Sequence, residues 1–395
     1  MKKELELYLH IPFCERKCAY CDFLSGPAKE SDKEQYVDAL IKEIKSYAGK
    51  MDAYEISTIF IGGGTPSSLE AVAIVRIMEA VYQTFQLRNR DRFGKKIEEH
   101  AKDAEITIEC NPGTITREKA DAYLACGINR MSMGLQSTVN EELKMLGRIH
   151  TYEEFLHNYQ LVRDAGFVNV NLDLMSALPG QTIKTWEETL EKVLALKPEH
   201  ISAYSLIIEE GTPFEREYGE DGPKRDLIPD EDTDRAMYEL TKVKLEEAGY
   251  YRYEISNYAK PGYECEHNIG YWKRVDYLGL GVGASSLLEK ERFHNTNDRD
   301  VYIRNCENPE QLREDVERLD RKDEMEEFMF LGLRLCKGIN KAEFAKQFGC
   351  SIEEIYGPVI QKLISESLLH ETQENLSLTP HGLDISNAVF AEFLL

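Results

Sequence analysis

Tyr8-Leu9-His10-Ile11-Pro12-Phe13-Cys14-Glu15-Arg16-Lys17-Cys18-Ala19-Tyr20-Cys21 is the stretch on which the reading of this chain turns. A short apolar run of β-formers, residues 5–11, ends at a proline and opens onto three cysteines spaced C-x3-C-x2-C. Thiolates are soft ligands, and three on one loop can hold three corners of an iron–sulfur cubane. A [4Fe–4S] cluster so held keeps one iron without a protein ligand, open to a small chelator. A structural zinc site instead takes four ligands and closes. His10 is the candidate fourth ligand for zinc, although strand alternation points it into the core. The chain has nine cysteines, and the other six are scattered, so a disulfide framework is the wrong description. Cys110 is expected to face the cofactor. Cys126, Cys306, Cys336 and Cys350 read as small core residues.

Outward from this loop, strand-like runs recur at 5–11, 56–61, 105–110, 129–135, 168–175 and 200–206. Helical patterns separate them. Ser31-Asp32-Lys33-Glu34 and Thr151-Tyr152-Glu153-Glu154 both have capping-box spacing, and Gly166 ends the second helix. Residues 68–86, 116–125 and 184–196 also read as helices. Six strand–helix units in a row predict a parallel sheet with helices outside. The fold class is therefore α/β, a partial (β/α)6 TIM-like barrel spanning 1–210 with an open mouth at the strand C-termini. Residues 211–306 read as an extension that covers the mouth, with a helix at 231–248 and a β-rich stretch after 250. The segment from Gln86 to Ala104 receives no function.

Forty-eight basic and 71 acidic residues leave a net charge of −23. That balance counts against binding to polyanions such as nucleic acid. Residues 307–325 read as an acidic linker. Residues 326–395 form a helix–helix–hairpin pattern, a winged-helix-like α+β domain. From 337 to 395 it carries four lysines, no arginine and eight acids, so a protein contact is expected rather than DNA. The strongest apolar run, 277–288, is too short to span a bilayer. No secretory signal opens the chain. A cytoplasmic protein is expected, peripheral to a membrane when it meets partners there, and a homodimer is one assembly it allows.

The cysteine spacing resembles the signature of the radical S-adenosylmethionine (SAM) superfamily, which uses a partial barrel with the cluster loop after the first strand. The resemblance implies that SAM chelates the open iron through its amino and carboxylate groups. An electron delivered by a donor protein to the cluster would then split the sulfonium to methionine and a 5′-deoxyadenosyl radical. Gly62-Gly63-Gly64-Thr65-Pro66 sits where that family binds the methionine moiety, and glycines would let backbone amides approach it closely. Tyr8-Leu9-His10-Ile11-Pro12-Phe13-Cys14, Glu109-Cys110-Asn111-Pro112, Gly134-Leu135-Gln136-Ser137 and Leu178-Pro179-Gly180-Gln181 narrow the resemblance to the oxygen-independent coproporphyrinogen oxidase group. It implies a cluster on Cys14, Cys18 and Cys21. It implies SAM contacts at Tyr8, Tyr20, Gly63, Gly64, Thr65, Glu109, Gln136, Arg148 and Asp173, and at Ile207 and Ser285.

Two branches divide this group. The oxidase, which decarboxylates propionates of coproporphyrinogen III, has a further cysteine two positions after the third cluster cysteine and a longer N-terminal arm. This chain has Phe23 at that position, and its first cluster cysteine is already residue 14. The other branch, the haem chaperones, carries Cys-Asp-Phe there and a His-Asn-x-x-Tyr-Trp motif downstream. Cys21-Asp22-Phe23 and His267-Asn268-Ile269-Gly270-Tyr271-Trp272 are similar to both features. The resemblance implies haem, held by His267 at the iron with Asn268, Tyr271 and Trp272 beside it, and an apo-haemoprotein as acceptor. A neutral imidazole and flat aromatic faces suit a porphyrin. Taken alone, a loop histidine seldom ligates anything and Tyr-Trp is more often core. Cys265 is either a second contact or a buried thiol.

Overall fold

The computed structural model describes residues 2–395. Six parallel strands form the barrel: β1 (Lys3–Ile11), β2 (Tyr54–Gly63), β3 (Glu105–Cys110), β4 (Arg130–Gln136), β5 (Val170–Ser176) and β6 (His200–Ser205). Each crosses to the next through helix: α1 (Glu30–Ser46), α2 (Ala71–Thr84), α3 (Arg117–Ala125), then α4 (Asn140–Met145) with α5 (Tyr152–Ala165), then α6 (Ile183–Leu196). Leu5, Leu7, Leu9 and Ile11 are fully buried on the helix side of β1, which leaves Glu6, Tyr8 and His10 to face the barrel interior. Burial on both faces is what a parallel sheet under crossover helices requires.

The extension does not simply cover the mouth. After α7 (Pro213–Tyr218) and α8 (Glu231–Glu247), strands β7 (Tyr251–Arg252) and β8 (Asn257–Ala259) pair with the β6 edge. Then α9 (Glu266–Trp272) leads to β9 (Tyr277–Leu280), β10 (Ser285–Leu288), β11 (Glu291–Asn295) and β12 (Arg313–Arg318), which continue the β1 edge. The result is one sheet in the order β12-β11-β10-β9-β1-β2-β3-β4-β5-β6-β8-β7. Buried Glu43 of α1 ties the extension to the barrel: it accepts from the Gly281 amide (2.8 Å), Asn295 Nδ2 (2.7 Å) and the Tyr302 hydroxyl (2.6 Å). Burial lifts its carboxyl to about 7.

Two expectations need correction here. The stretch read as an acidic linker is edge strand β12 followed by a helix, Arg321–Gly332; its acids sit on the solvent face of a sheet edge, where charge discourages further pairing. The capping box at Ser31 does not form, because α1 begins at Glu30 with Lys29 as an uncapped N-cap. Thr151 does make its reciprocal cap with Glu154, and Gly166 closes that helix at φ 116°.

The C-terminal unit has its own core around Phe344, Ile352, Tyr356, Leu376 and Phe393. Helices Lys341–Phe348 and Ile352–Ser365 pack on β13 (Ile339–Asn340), β14 (Leu369–Glu371) and β15 (Asn375–Leu378), the winged-helix-like arrangement expected. Among the described residues no helix is long and apolar enough to cross a membrane.

Candidate cofactor cleft and adjoining cavity

The cluster loop leaves β1 and lies across the C-terminal ends of the barrel strands, where a cleft of about 420 Å³ opens. Cys14, Cys18 and Cys21 line it, each half-buried. Tyr20, Gly63, Gly64, Thr65 and Glu109 line it as well, and so do Gln136, Arg148, Asp173 and Ile207. These residues come from six separate strand ends or loops, which is how this architecture gathers a site.

The thiols are set among donors. Arg148 Nη1 lies 3.5 Å from Cys18 Sγ, and Thr65 Oγ1 donates to Cys14 Sγ at 3.5 Å. Among the described residues no three or more His, Cys, Asp or Glu side chains gather as they would around one metal ion. Arg148 is held by Asn111 Oδ1 (2.5 Å) and the Gly134 carbonyl, and its buried Nε has no partner.

Two half-buried acids also line the cleft. Glu109 accepts from the Gly63 amide (3.0 Å), and Asp173 accepts from Ser132 Oγ (3.1 Å) and Asn171 Nδ2 (2.7 Å). Burial, reinforced by Asp173, lifts the Glu109 carboxyl to about 7, and burial also raises Asp173. A ligand that carries both positive groups and a carboxylate fits between such walls. Gln136 holds the left-handed φ of 70° at a bulge in the β4–β5 register and accepts from the Tyr204 hydroxyl (3.1 Å). A non-glycine residue in that conformation is strained, and strain of this kind collects at ligand sites.

The glycine loop acts differently from the expectation. The amides of Gly63, Gly64 and Thr65 are not free for a ligand: they donate to Glu109, to the Ile11 carbonyl (2.8 Å) and to the Phe13 carbonyl (2.6 Å). A Cβ at Gly64 would lie 2.6 Å from the Phe13 carbonyl oxygen. The glycines let the end of β2 close on the cluster loop, so they set the cleft's shape from behind.

Tyr8 and Ser285 do not line this cleft. They line a second cavity of about 600 Å³, beside it on the β1–β10 side of the barrel. Ser285 belongs to β10, beyond β1 in the sheet order, and lines only the second cavity, whereas Gln136 and Asp173 line only the cleft. Phe23, Gly63 and Glu109 border both spaces. Tyr271, Trp272, Tyr277, Leu24, Leu287 and Leu331 give the cavity a mostly apolar wall, and Arg292 gives it a cation.

The motif of 267–272 is divided by helix geometry. It forms α9, in which His267 and Gly270 face the barrel while Tyr271 and Trp272 reach the cavity. Gly270 packs against buried Glu6, whose Oε1 would lie 1.9 Å from a Cβ there. His267 is not the exposed loop ligand the sequence suggested. It is 1% exposed, its Nδ1 pairs with Thr58 Oγ1 (2.6 Å) and its Nε2 with the Tyr271 hydroxyl (2.9 Å). Burial, followed by the nearby Arg130 charge, lowers it to about 3, so it is neutral and enclosed. Asn268 lines neither space. Cys265 is fully buried, and burial pushes its thiol up, as for a thiol packed in the interior. Asn111, Ser132 and Tyr204 complete the cleft without having been anticipated as ligands. Inward alternation on β4 and β6 was the signal available for the last two.

Comparison with known proteins agrees with this geometry. Residues 8–193 match the radical SAM superfamily, and residues 319–385 match the HemN C-terminal domain. A heme chaperone HemW of Lactococcus lactis is 36% identical over 100% of this chain and 98% of its own length. The chain belongs to the HemW family of radical SAM proteins. The HemW of Bacillus subtilis is 34% identical over 98% of both chains. The coproporphyrinogen III oxidase HemN of Escherichia coli superposes with a TM-score of 0.84, covering 100% of this chain and 90% of that one; at 23% identity this likeness is one of fold. Membership of the HemW family and its radical SAM superfamily implies a [4Fe–4S] cluster and SAM. The half-buried thiols, the orphaned Arg148 Nε and the paired acids fit those two groups.

Proposed function

We propose that this protein is a haem chaperone: it binds haem in the aromatic cavity and passes it to apo-haemoproteins. The observation that carries the reading is the position of that cavity. Tyr271 and Trp272 line it, and it shares Phe23, Gly63 and Glu109 with the cofactor cleft. Its size lies within the range of small-molecule sites, and flat apolar walls suit a porphyrin; its cation, Arg292, is paired with Glu327 at 2.6 Å.

In this reading Cys14, Cys18 and Cys21 hold the cluster. Arg148, Glu109, Asp173, Gln136, Tyr20, Thr65 and Ile207 surround SAM. Bound there, the pair supplies one-electron chemistry when a donor protein reduces the cluster. The chain's own residues orient and enclose: Glu109 and Asp173 receive positive charge, Arg148 receives a carboxylate, and Phe23 separates the two ligands. Arg16 and Lys17 stand exposed at the cleft mouth of an otherwise acidic chain, a surface that suits an acidic electron donor. We place the protein in the cytoplasm, at a membrane surface when the acceptor is there, with pairing of two copies as a further arrangement.

Titration of ferric haem into the cluster-loaded protein tests the reading. A Soret band should saturate at one haem per chain, weaken in Trp272→Ala, and transfer to apomyoglobin. Failure to bind haem would sink the proposal. So would formation of protoporphyrinogen from coproporphyrinogen III at a catalytic rate under reducing, anaerobic conditions with SAM.

A further inference from the structure

A groove of about 470 Å³ runs between the last turn of α9 and the C-terminal unit, and it shares Trp272 with the aromatic cavity. Its floor is apolar: Trp272, Phe328 and Leu335 are half-buried there beside buried Ile339. Trp272 also carries an unsatisfied donor. Its Nε1–H is buried with no acceptor among the described residues, and the Arg334 guanidinium lies over its ring at 4.3 Å. An indole N–H can only donate, so the group it lacks is a carbonyl or carboxylate oxygen. The rim is basic in a chain that is not. Lys273 and Lys346 line it, exposed and without a carboxylate partner among the described residues. Lys337, just before the lining residue Gly338, is exposed and unpaired as well. The other two lysines of the C-terminal unit are committed, Lys341 to Glu353 (2.9 Å) and Lys362 to Glu392 (2.8 Å). Among the described residues that line the groove, Glu343 is the single acid.

We propose that this groove docks an acidic segment of the acceptor protein, with an apolar side chain on Phe328 and Leu335 and carboxylates at Lys273 and Lys346. Unmatched lysines around an apolar floor, in a protein of net charge −23, complement such a partner. Nucleic acid is disfavoured, because residues 337–395 set eight acids against their four lysines. Trp272 forms a wall of both spaces. A segment that accepts from its Nε1–H fixes the indole that a porphyrin in the cavity also touches. Docking and porphyrin binding are therefore coupled, and by linkage each changes the affinity for the other by one factor.

The identity of the partner as acceptor rests on the haem-chaperone reading above, and the experiment separates the two. The full-length protein is titrated at low salt with a fluorescein-labelled peptide in which aspartates flank a leucine and a phenylalanine. Anisotropy should saturate at one peptide per chain. A peptide with asparagine in place of aspartate should bind about tenfold more weakly, and so should the aspartate peptide to the double variant Lys273→Glu, Lys346→Glu. Both lysines are exposed, so an unchanged thermal midpoint is expected in that variant. Trp186, the other tryptophan, is fully buried in the barrel core. Unlabelled peptide should therefore change the emission of Trp272, and Trp272→Phe should abolish the change. Saturating iron-free protoporphyrin IX should shift the peptide's affinity. No saturable binding to wild type overturns the proposal. Equal binding of the two peptides, or equal binding to wild type and the double variant, does so too. Tighter, lysine-dependent binding of a single-stranded oligonucleotide overturns the choice of partner, and an affinity indifferent to porphyrin overturns the coupling. Loss of porphyrin binding in wild type, with lysine-dependent peptide binding intact, strikes the haem reading and leaves the groove a docking site for an acidic protein.

Discussion

The cleft and the cavity are neighbours in one barrel and share a wall, yet they were built by opposite rules. The cleft is ionic: thiols, a guanidinium and two half-buried carboxyls line it. The cavity is aromatic; Tyr8 pairs with His10 and Tyr271 with His267, while the buried Trp272 Nε1 has no partner among the described residues. An ionic site must keep unpaired charge until its ligand arrives. An apolar site can hide its polar groups and release one on binding. The difference explains why local spacing points to the first site directly, while in the second it names His267 without showing that the residue is enclosed.

The largest effect should come from the cluster loop. Cys18→Ala removes one of three thiolates and should abolish the cluster, read as loss of its visible charge-transfer absorbance after anaerobic reconstitution. If the two sites are as separate as their chemistry, iron-free protoporphyrin binding should survive unchanged; its loss would break the comparison. Gly63→Ala comes next and should damage both sites. The new Cβ meets the His10 ring at 2.4 Å, and φ there is 106°. Left-handed strain and overpacking together should cost about 2–5 kcal/mol of stability, seen as a lowered chemical-denaturation midpoint.

Much of the cleft was legible because most of its lining residues sit at or near strand ends. Alternation placed the strands, and a motif at a strand end has to face the barrel mouth. Glu109, Gln136 and Asp173 needed nothing more. What local sequence did not carry is the sheet order beyond β1. Ser285 is fixed by pairing across β9, a contact made by residues far from it in the chain, so its cavity was invisible. The acid-rich stretch from 307 became a strand for the same reason: β11 offered a free edge, and long-range pairing prevailed over a composition that reads as solvated. His267 illustrates a third limit. A motif lists residues without saying which turn of the helix faces inward, and Gly270 on Glu6 sets that rotation.

Glu109→Gln should have an intermediate effect, on SAM binding. The raised carboxyl, near 7, means that the free protein holds its proton below neutrality. A ligand bringing positive charge prefers the ionised form, so a proton must leave when it binds below pH 7. Affinity should therefore rise about fivefold from pH 6 to pH 7 and about twofold more by pH 8, where it levels off. Glu109→Gln cannot titrate and should show a flat profile, weaker at pH 8 than wild type. Calorimetry across pH 6–8 distinguishes these, and an unchanged slope in the variant would assign the proton to another group, with Asp173 the next candidate.

Phe23→Ala should give the smallest effect and the sharpest reading of the shared wall. Phe23 is 63% exposed and borders both spaces, two residues after the last cluster cysteine. Its ring has little to lose in the empty protein, so stability should hardly change. A porphyrin covering part of that ring would gain about 0.7 kcal/mol from it, a roughly threefold weakening in the variant. The sign of coupling is the informative quantity. If Phe23 only covers each ligand separately, porphyrin affinity should drop by the same factor with and without SAM. If SAM orders the ring into the cavity wall, the drop should appear only when SAM is bound, because the ring then contributes to a surface that one ligand has shaped for the other.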